Sequence, residues 1–419
     1  MCSFLVTNKI IDNIDNLNRD LSRRGPDGTK IIKIDGINFV HNLLHITGKR
    51  TDQPIVKGNT VMVYNGEVYN FCGDSDTTFV FDSIFKKNID VINSFDGEYA
   101  LAIYKDNILY LATDIFGTKP LFFAKENNYF GVCSYYSVLK DLGFNNIEKL
   151  SSNTILNVNT LEKTKIHEFN LNQFEETFDV WEKNFLKSIE KRITSKSFIC
   201  LSSGYDSGAL ALAAKILGKE LPYYCIPNKE SKEILDLREK FLGKINYLKI
   251  DEREYSKQYN KIANFTDSYT FKDYNFKADK ASIGLSIIFE AAKNEHLNVN
   301  LSGSGADEIL TDYGIEGRNV FFMDTTSSLR GIFPDDLTSV FPWYNFFNGR
   351  QERYLYKEES VAGLYGIETR YPFLDRNVVQ SFLSLTSALK NREYKSPLAY
   401  FFKKHNFPYE SKVKRGFNL

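Results

Sequence analysis

The run Ser197-Phe198-Ile199-Cys200-Leu201-Ser202-Ser203-Gly204-Tyr205-Asp206-Ser207-Gly208 starts as an apolar strand and breaks at small residues before a helix over Ser207–Leu217. Small residues let backbone N–H groups approach an anion, and a helix amino terminus adds favourable potential. The spacing is not the G-x-x-x-x-G-K-[ST] of common nucleotide loops. A helix cap built from Ser and Asp is the rival reading of the run taken alone. Downstream, the pattern predicts a strand over Pro222–Pro227, a helix over Ser231–Leu242, a strand over Tyr247–Asp251, a helix over Lys280–Asn294 and a strand at Val299-Asn300-Leu301. Such alternation implies a doubly wound parallel sheet with helices on both faces. A second glycine-serine run, Leu301-Ser302-Gly303-Ser304-Gly305-Ala306-Asp307-Glu308, also leaves a strand and enters a helix-like stretch. Both runs would lie at strand carboxyl ends, where open α/β sheets bind ligands.

The other half of the chain reads differently. Ile31–Ile34, Asn38–Ile46, Val61–Tyr64, Tyr99–Tyr104 and Ile108–Ala112 are short β runs punctuated by Asp35-Gly36, Asn65-Gly66 and Asp106-Asn107. These signals argue for stacked antiparallel sheets, with one helix over Asp76–Lys87. Asn65-Gly66 by itself reads as the end of a strand in a type I′ hairpin. The helical spacing of Phe178–Ile193 marks the change of pattern, and the expected domains are 1–168 and 176–419.

Composition excludes several classes. The 419 residues carry 53 Lys+Arg and 53 Asp+Glu, so neither nucleic acid nor an anionic membrane surface is an expected partner. No apolar run reaches a membrane span, and the amino terminus lacks the basic leader and core of a signal peptide, so a cytoplasmic protein is expected. The five cysteines include no C-x-x-C pair, which argues against a disulfide framework or structural zinc. His41 and His45 share one β run, but without a third ligand nearby they read as structural histidines.

Cys2 follows Met1 directly. If Met1 is removed, one residue holds a thiol and a free α-amine able to take its proton. Position alone favours an inert Cys2. The segments that follow are Arg24-Gly25-Pro26-Asp27-Gly28, Tyr64-Asn65-Gly66-Glu67-Val68-Tyr69-Asn70, Ser75-Asp76, Asp96-Gly97-Glu98-Tyr99-Ala100 and Asp114-Ile115-Phe116-Gly117-Thr118-Lys119-Pro120-Leu121. In this order the series resembles class II glutamine amidotransferases, with an amino-terminal nucleophile hydrolase type of α+β sandwich. The resemblance implies that Cys2 attacks the glutamine amide while Asn65 and the Gly66 N–H hold the oxyanion. Glu67 and Asp76 would grip the substrate ammonium. Leu43 stands where the family has an arginine for the glutamine carboxylate, and Arg50 or His45 is a nearby substitute. Thr113 likewise replaces an arginine.

The first glycine-serine run resembles the pyrophosphate loop of ATP pyrophosphatases, with Ser203 in place of a glycine. The second resembles a signature of asparagine synthetases, as do Arg370-Tyr371-Pro372-Phe373-Leu374-Asp375, Lys395 and Lys414-Arg415-Gly416-Phe417. The resemblance is nearly full-length and implies an amide ligase using ATP and Mg²⁺. Ser202, Gly204 and Ser207 would hold pyrophosphate. Leu201, Ile226, Ser302 and Gly303 would surround adenosine. Asp206 and Asp307 would hold the metal, and Arg370 and Lys395 would offset charge. The expected partners are glutamine, ATP and aspartate or another carboxylate, with a homodimer left open. Ser304 occupies a position where the family has Glu, so the acceptor could be a sugar acid or a peptide, with Glu308 as a candidate replacement. A catalytically silent nucleotide-binding member is the remaining alternative.

Overall fold

The structure, a computed structural model, describes residues 1–265, 267–271, 274–313, 329, 332–411 and 413. The chain divides into two compact units. The first takes Met1–Glu168, Lys261–Lys277 and Leu355–Glu368, and the second takes Phe169–Asn260, Ala278–Tyr354 and Thr369–Leu419.

The first unit contains β1 (Ser3–Thr7), β2 (Gly28–Ile34), β3 (Ile37–Leu43), β4 (Ile55–Lys57), β5 (Thr60–Val68), β6 (Gly97–Lys105), β7 (Ile108–Thr113), β8 (Phe122–Glu126), β9 (Tyr129–Cys133), β10 (Ile147–Lys149), β11 (Thr154–Asn157) and β12 (Lys163–Lys165). They form two six-stranded sheets, in orders β10-β8-β9-β1-β3-β2 and β12-β11-β7-β6-β5-β4, with antiparallel pairings such as Phe4↔His41 and Tyr64↔Leu101. Period-2 alternation makes the sandwich. Val61 and Val63 of β5 join Phe4, Val6, Phe39, Ala100 and Ala102 in one core. Met62 and Tyr64 point the other way, packing with Val80, Phe81 and Ile84 of a helix over Asp76–Lys86.

Two local expectations change. Asn65 and Gly66 do not end a strand: β5 runs through them, paired Asn65↔Ala100 and Gly66↔Tyr99. A Cβ at Gly66 would lie 2.0 Å from the Glu98 carbonyl oxygen, so this glycine serves close backbone approach within a sheet, not a turn. A helix α1 (Ile14–Arg24) was not anticipated, because Ile14, Leu17 and Leu21 are diluted among polar residues. The Asp76–Lys86 helix is α2, followed by α3 (Tyr136–Asp141).

The second unit supplies α4 (Asp179–Glu190), β13 (Ser197–Cys200), α5 (Tyr205–Ile216), β14 (Tyr223–Cys225), α6 (Lys232–Leu242), β15 (Ile245–Tyr247), most of α7 (Glu252–Ala263), α8 (Lys280–Asn294), β16 (Val299–Leu301), α9 (Ala306–Leu310) and most of β17 (Glu368–Arg370). The sheet order is β15-β14-β13-β16-β17, with β13 parallel to both β14 and β16. The strand expected over Tyr247–Asp251 instead ends at Tyr247, since its partner β14 is only three residues long and Ile245 is the residue it buries. α7 was also not anticipated.

Candidate functional sites

Two clusters carry the chemistry-bearing residues, one in each unit. In the first, Cys2 immediately precedes β1. The Leu44 N–H donates to Cys2 Sγ at 3.4 Å, and Sγ–H points to the Leu44 carbonyl at 3.8 Å. Met1 is fully buried, with its ammonium 3.8 Å from the Glu368 carboxylate. With Met1 in place, Cys2 has an amide and no amine, and burial pushes its thiol up to about 11. Register brings Asn65 to this end of the sandwich. Phe4 pairs with His41, and His41 Nε2–H donates to the Tyr64 carbonyl at 3.1 Å, one residue before Asn65. Asn65 is 0% exposed, and neither its Oδ1 nor its Nδ2 has a hydrogen-bond partner among the described residues. An unsatisfied buried polar group costs about 1–3 kcal/mol, and a bound oxyanion would relieve that cost at the Nδ2 donor.

Asp76 caps this region from the first turn of α2. Its Oδ2 accepts from Tyr64 Oη at 2.9 Å and from the Val68 N–H at 3.2 Å, and burial holds its carboxyl above the usual range. Glu67 lies one residue before Val68 and accepts from the Thr47 hydroxyl at 3.0 and 3.1 Å. Leu43 is opposite Gly28 in the β2–β3 register, and a Cβ at Gly28 would lie 3.0 Å from Arg50 Nη2. Opposed residues share a face, so the Arg50 guanidinium lies on the face to which Leu43 projects. There Nη2 donates to the Asp27 carbonyl at 3.1 Å and Nε to Asp52 Oδ1 at 3.1 Å. The His45 imidazole instead engages the Gly48 carbonyl at 2.9 Å.

A buried ion network beneath Cys2 was not foreseen. Arg24 Nε donates to the Cys2 carbonyl at 3.0 Å, and its Nη2 meets Glu359 Oε2 at 2.6 Å. Lys119 Nζ contacts Glu359 Oε1 at 2.9 Å and Glu98 Oε2 at 3.9 Å. Arg24 and Lys119 stand in the quoted sequence motifs, but their carboxylate partner comes from residue 359, which no local pattern announces.

His41 gives a pH prediction. Burial pushes its imidazole down to about 4, whereas the unfolded chain protonates it near the ordinary 6.5. Stability from keeping His41 neutral is therefore intact above pH ~6.5 and lost as pH falls towards 4, by roughly 3 kcal/mol. Urea midpoints measured from pH 7 to 4 should fall less steeply in His41→Gln; an unchanged slope would remove His41 as the cause.

In the second unit, Asp206 at the start of α5 and Asp307 in α9 converge on one cation. Lys395 Nζ lies 2.5 Å from Asp206 Oδ1 and 2.8 Å from Asp307 Oδ1. Burial opposes the Lys395 charge, but the two carboxylates hold the ammonium well above its ordinary value. Tyr394 Oη reaches Asp307 at 3.2 Å. The two loops meet closely: a Cβ at Gly303 would lie 2.8 Å from the Asp206 Cβ, so only glycine fits. Ser202 Oγ and Ser207 Oγ are 2.8 Å apart, and the Gly204 N–H donates to Ser202 Oγ at 3.1 Å. Leu201 and Ile226 are buried beside them at the ends of β13 and β14. Ser302 accepts the Ser304 N–H at 3.0 Å.

Two candidates have other engagements. Arg370 is 2% exposed, its Nη1 donating to the Arg192 carbonyl at 3.0 Å. Glu308 is buried, accepting the Gly305 N–H at 3.1 Å and the Tyr313 hydroxyl. Lys414-Arg415-Gly416-Phe417 lies outside the described residues. Among those residues no group of three or more His, Cys, Asp or Glu forms a metal cage. Two carboxylates sharing one cation suit Mg²⁺, which takes one or two carboxylates and completes its shell with phosphate and water.

Residues 1–176 match a family model described as a glutamine amidotransferase domain, and residues 182–355 match one described as asparagine synthase. A Methanocaldococcus jannaschii protein that carries the name of a glutamine-hydrolysing asparagine synthetase is 28% identical over 421 aligned positions, covering 86% of this chain and 72% of the relative. Asparagine synthetase 3 of Bacillus subtilis is 30% identical over 138 positions, 28% of this chain and 22% of its own. The asparagine synthetase of Mesocricetus auratus is 23% identical over 438 positions, covering 88% and 74%.

Proposed function

The chain belongs to the family of glutamine-hydrolysing asparagine synthetases, and from that premise we propose a two-step, ATP-consuming amide synthesis on aspartate. The observation that carries the second step is the convergence of Asp206 and Asp307 on Lys395 beside the two glycine-serine loops. In the first unit, removal of Met1 frees the Cys2 amine, which takes the thiol proton. The thiolate adds to the glutamine amide carbon. Asn65 Nδ2 and the Gly66 N–H hold the oxyanion, each donor contributing roughly 3–4 kcal/mol. Ammonia leaves, and water then cleaves the thioester to glutamate. Glu67 and Asp76 take the substrate ammonium, and Arg50 supplies the cation for its carboxylate that Leu43 lacks.

In the second unit, an aspartate carboxylate oxygen attacks the α-phosphorus of ATP, forming an acyl-adenylate and releasing pyrophosphate. Ammonia adds to the acyl carbon, and AMP departs. Lys395 balances charge at the phosphates while Ser202, Gly204 and Ser207 line the loop that receives them; Leu201, Ile226, Ser302 and Gly303 border the adenosine. Mg²⁺ held by Asp206 and Asp307 would neutralise the phosphate oxygens. A cytoplasmic setting accords with five free cysteines and with the absence, among the described residues, of any helix long and apolar enough to cross a membrane.

Ser304 favours a second reading, in which the acceptor is a sugar acid or peptide carboxylate, since a hydroxyl supplies no negative charge for an amino-acid ammonium. Purified protein with glutamine and Mg-ATP is expected to release AMP and pyrophosphate with aspartate and to yield asparagine. A carboxylate screen in which another acid is strongly preferred would transfer the reaction to that acid. No AMP with any acid would end both readings.

A further inference from the structure

Arg238 of α6 is 0% exposed, yet its guanidinium is spent on main-chain carbonyls of the nucleotide loop. Nη1 donates to the Ser202 carbonyl and, at 3.0 Å, to the Gly204 carbonyl, while Nε donates to the Pro408 carbonyl at 3.1 Å. The Phe407 ring lies 4.9 Å from the guanidinium carbon, and Gly208 in the first turns of α5 leaves the group its room: a Cβ there would lie 2.5 Å from Nη2. A second charged side chain, from just ahead of α6, holds the residue between those two carbonyls. Glu230 Oε2 accepts the Ser203 N–H at 2.6 Å and the Ser203 hydroxyl, and Ser203 Oγ in turn accepts the Ser231 N–H at 3.0 Å.

We propose that Arg238 and Glu230 are the positioning residues of the nucleotide loop, gripping it from both polarities so that it is preformed for phosphate. Arg238 ties down the carbonyls of residues 202 and 204, keeping their negative ends away from an anion. Glu230 immobilises Ser203, the position at which a serine replaces the freer glycine. Burial pushes Arg238 down to about 9, which leaves it charged at neutral pH and places a fixed positive charge under the loop. Neither residue needs to touch the nucleotide. Preorganisation of this kind lowers the ordering cost of binding.

The inference rests on the ATP reading of the loop, and the full chain tests both. Arg238→Lys keeps the charge but loses the fork, so KM for Mg-ATP in AMP formation should rise about tenfold, the scale of one hydrogen bond to a charged group, with kcat and glutaminase rate little changed. Gly208→Ala, which displaces the guanidinium, should act in the same direction. Glu230→Ala should also raise this KM, whereas Glu230→Gln, whose amide oxygen still accepts from Ser203, should restore it. Should Arg238→Lys not fold, the Glu230 pair decides. A KM for Mg-ATP close to that of the unaltered chain in both folded Arg238→Lys and Glu230→Ala would overturn the inference. An unaltered chain that Mg-ATP neither stabilises thermally nor turns to AMP would overturn the ATP reading, and this inference with it.

Discussion

Cys2→Ala is expected to lower glutamine hydrolysis by about 10⁴-fold or more while ammonia-fed AMP formation stays near that of the unaltered chain. The size follows from what is lost: without the thiol no covalent intermediate forms, and the oxyanion donors are left with only a water to activate. The selectivity follows from placement. Cys2, Asn65 and Asp76 all belong to the first unit, whereas Asp206, Asp307 and Lys395 belong to the second. Coupled assays for glutamate and for AMP, the latter with ammonium chloride as nitrogen source, read the two steps apart. Equal loss of both activities would contradict the division of labour. The same assay bears on Met1. A chain that retains it has no amine at Cys2 and a thiol pushed up to about 11, and it should hydrolyse glutamine as poorly as the alanine variant.

Asp206→Asn is expected to reduce AMP and pyrophosphate formation by about 10³-fold, with glutaminase activity retained. A loss of about 4 kcal/mol in transition-state stabilisation corresponds to that factor, within the several kcal/mol ascribed to metal-held phosphate charge. Asparagine preserves the shape of the side chain and removes its charge. Among the described residues Lys395 then keeps only Asp307 as a carboxylate partner, at 2.8 Å, so ammonium and phosphate are no longer balanced as before. Removing one partner of a buried ion pair also costs stability. A melting curve must therefore accompany the rate, and the step is assigned to Asp206 only if the variant remains folded at the assay temperature. Pyrophosphate release within about tenfold of the unaltered rate would remove Asp206 from the metal and phosphate machinery.

Asn65 illustrates where local reading stops. As a dipeptide, Asn65-Gly66 signals a turn, because both residues tolerate positive φ. In the fold, Gly66 sits within β5 at φ +141° with the Glu98 carbonyl and Tyr99 Cα pressed on it from β6, and these two features, not a reversal of direction, require a glycine. Leu43 and Arg50 are similar: the sequence offers Arg50 or His45 in place of the cation missing at Leu43, but only the pairing of β2 with β3, which sets Gly28 opposite Leu43, puts Arg50 on that face.

Legible in the sequence were the architecture of both units and the candidates for the reactive groups, whose roles the assays above test. Period-2 and helical periodicities, Cys2 behind Met1, and two glycine-serine runs after apolar strands are local patterns, and local sterics and burial are enough to enforce them. Which charges meet is set only by the folded chain. Glu359 reaches Arg24 and Lys119 across more than two hundred positions, and Arg238 and Glu230 clasp a loop that precedes them. No spacing rule encodes such pairs, because a buried charge is held by whichever opposite group or carbonyl the folded chain delivers within about 3 Å.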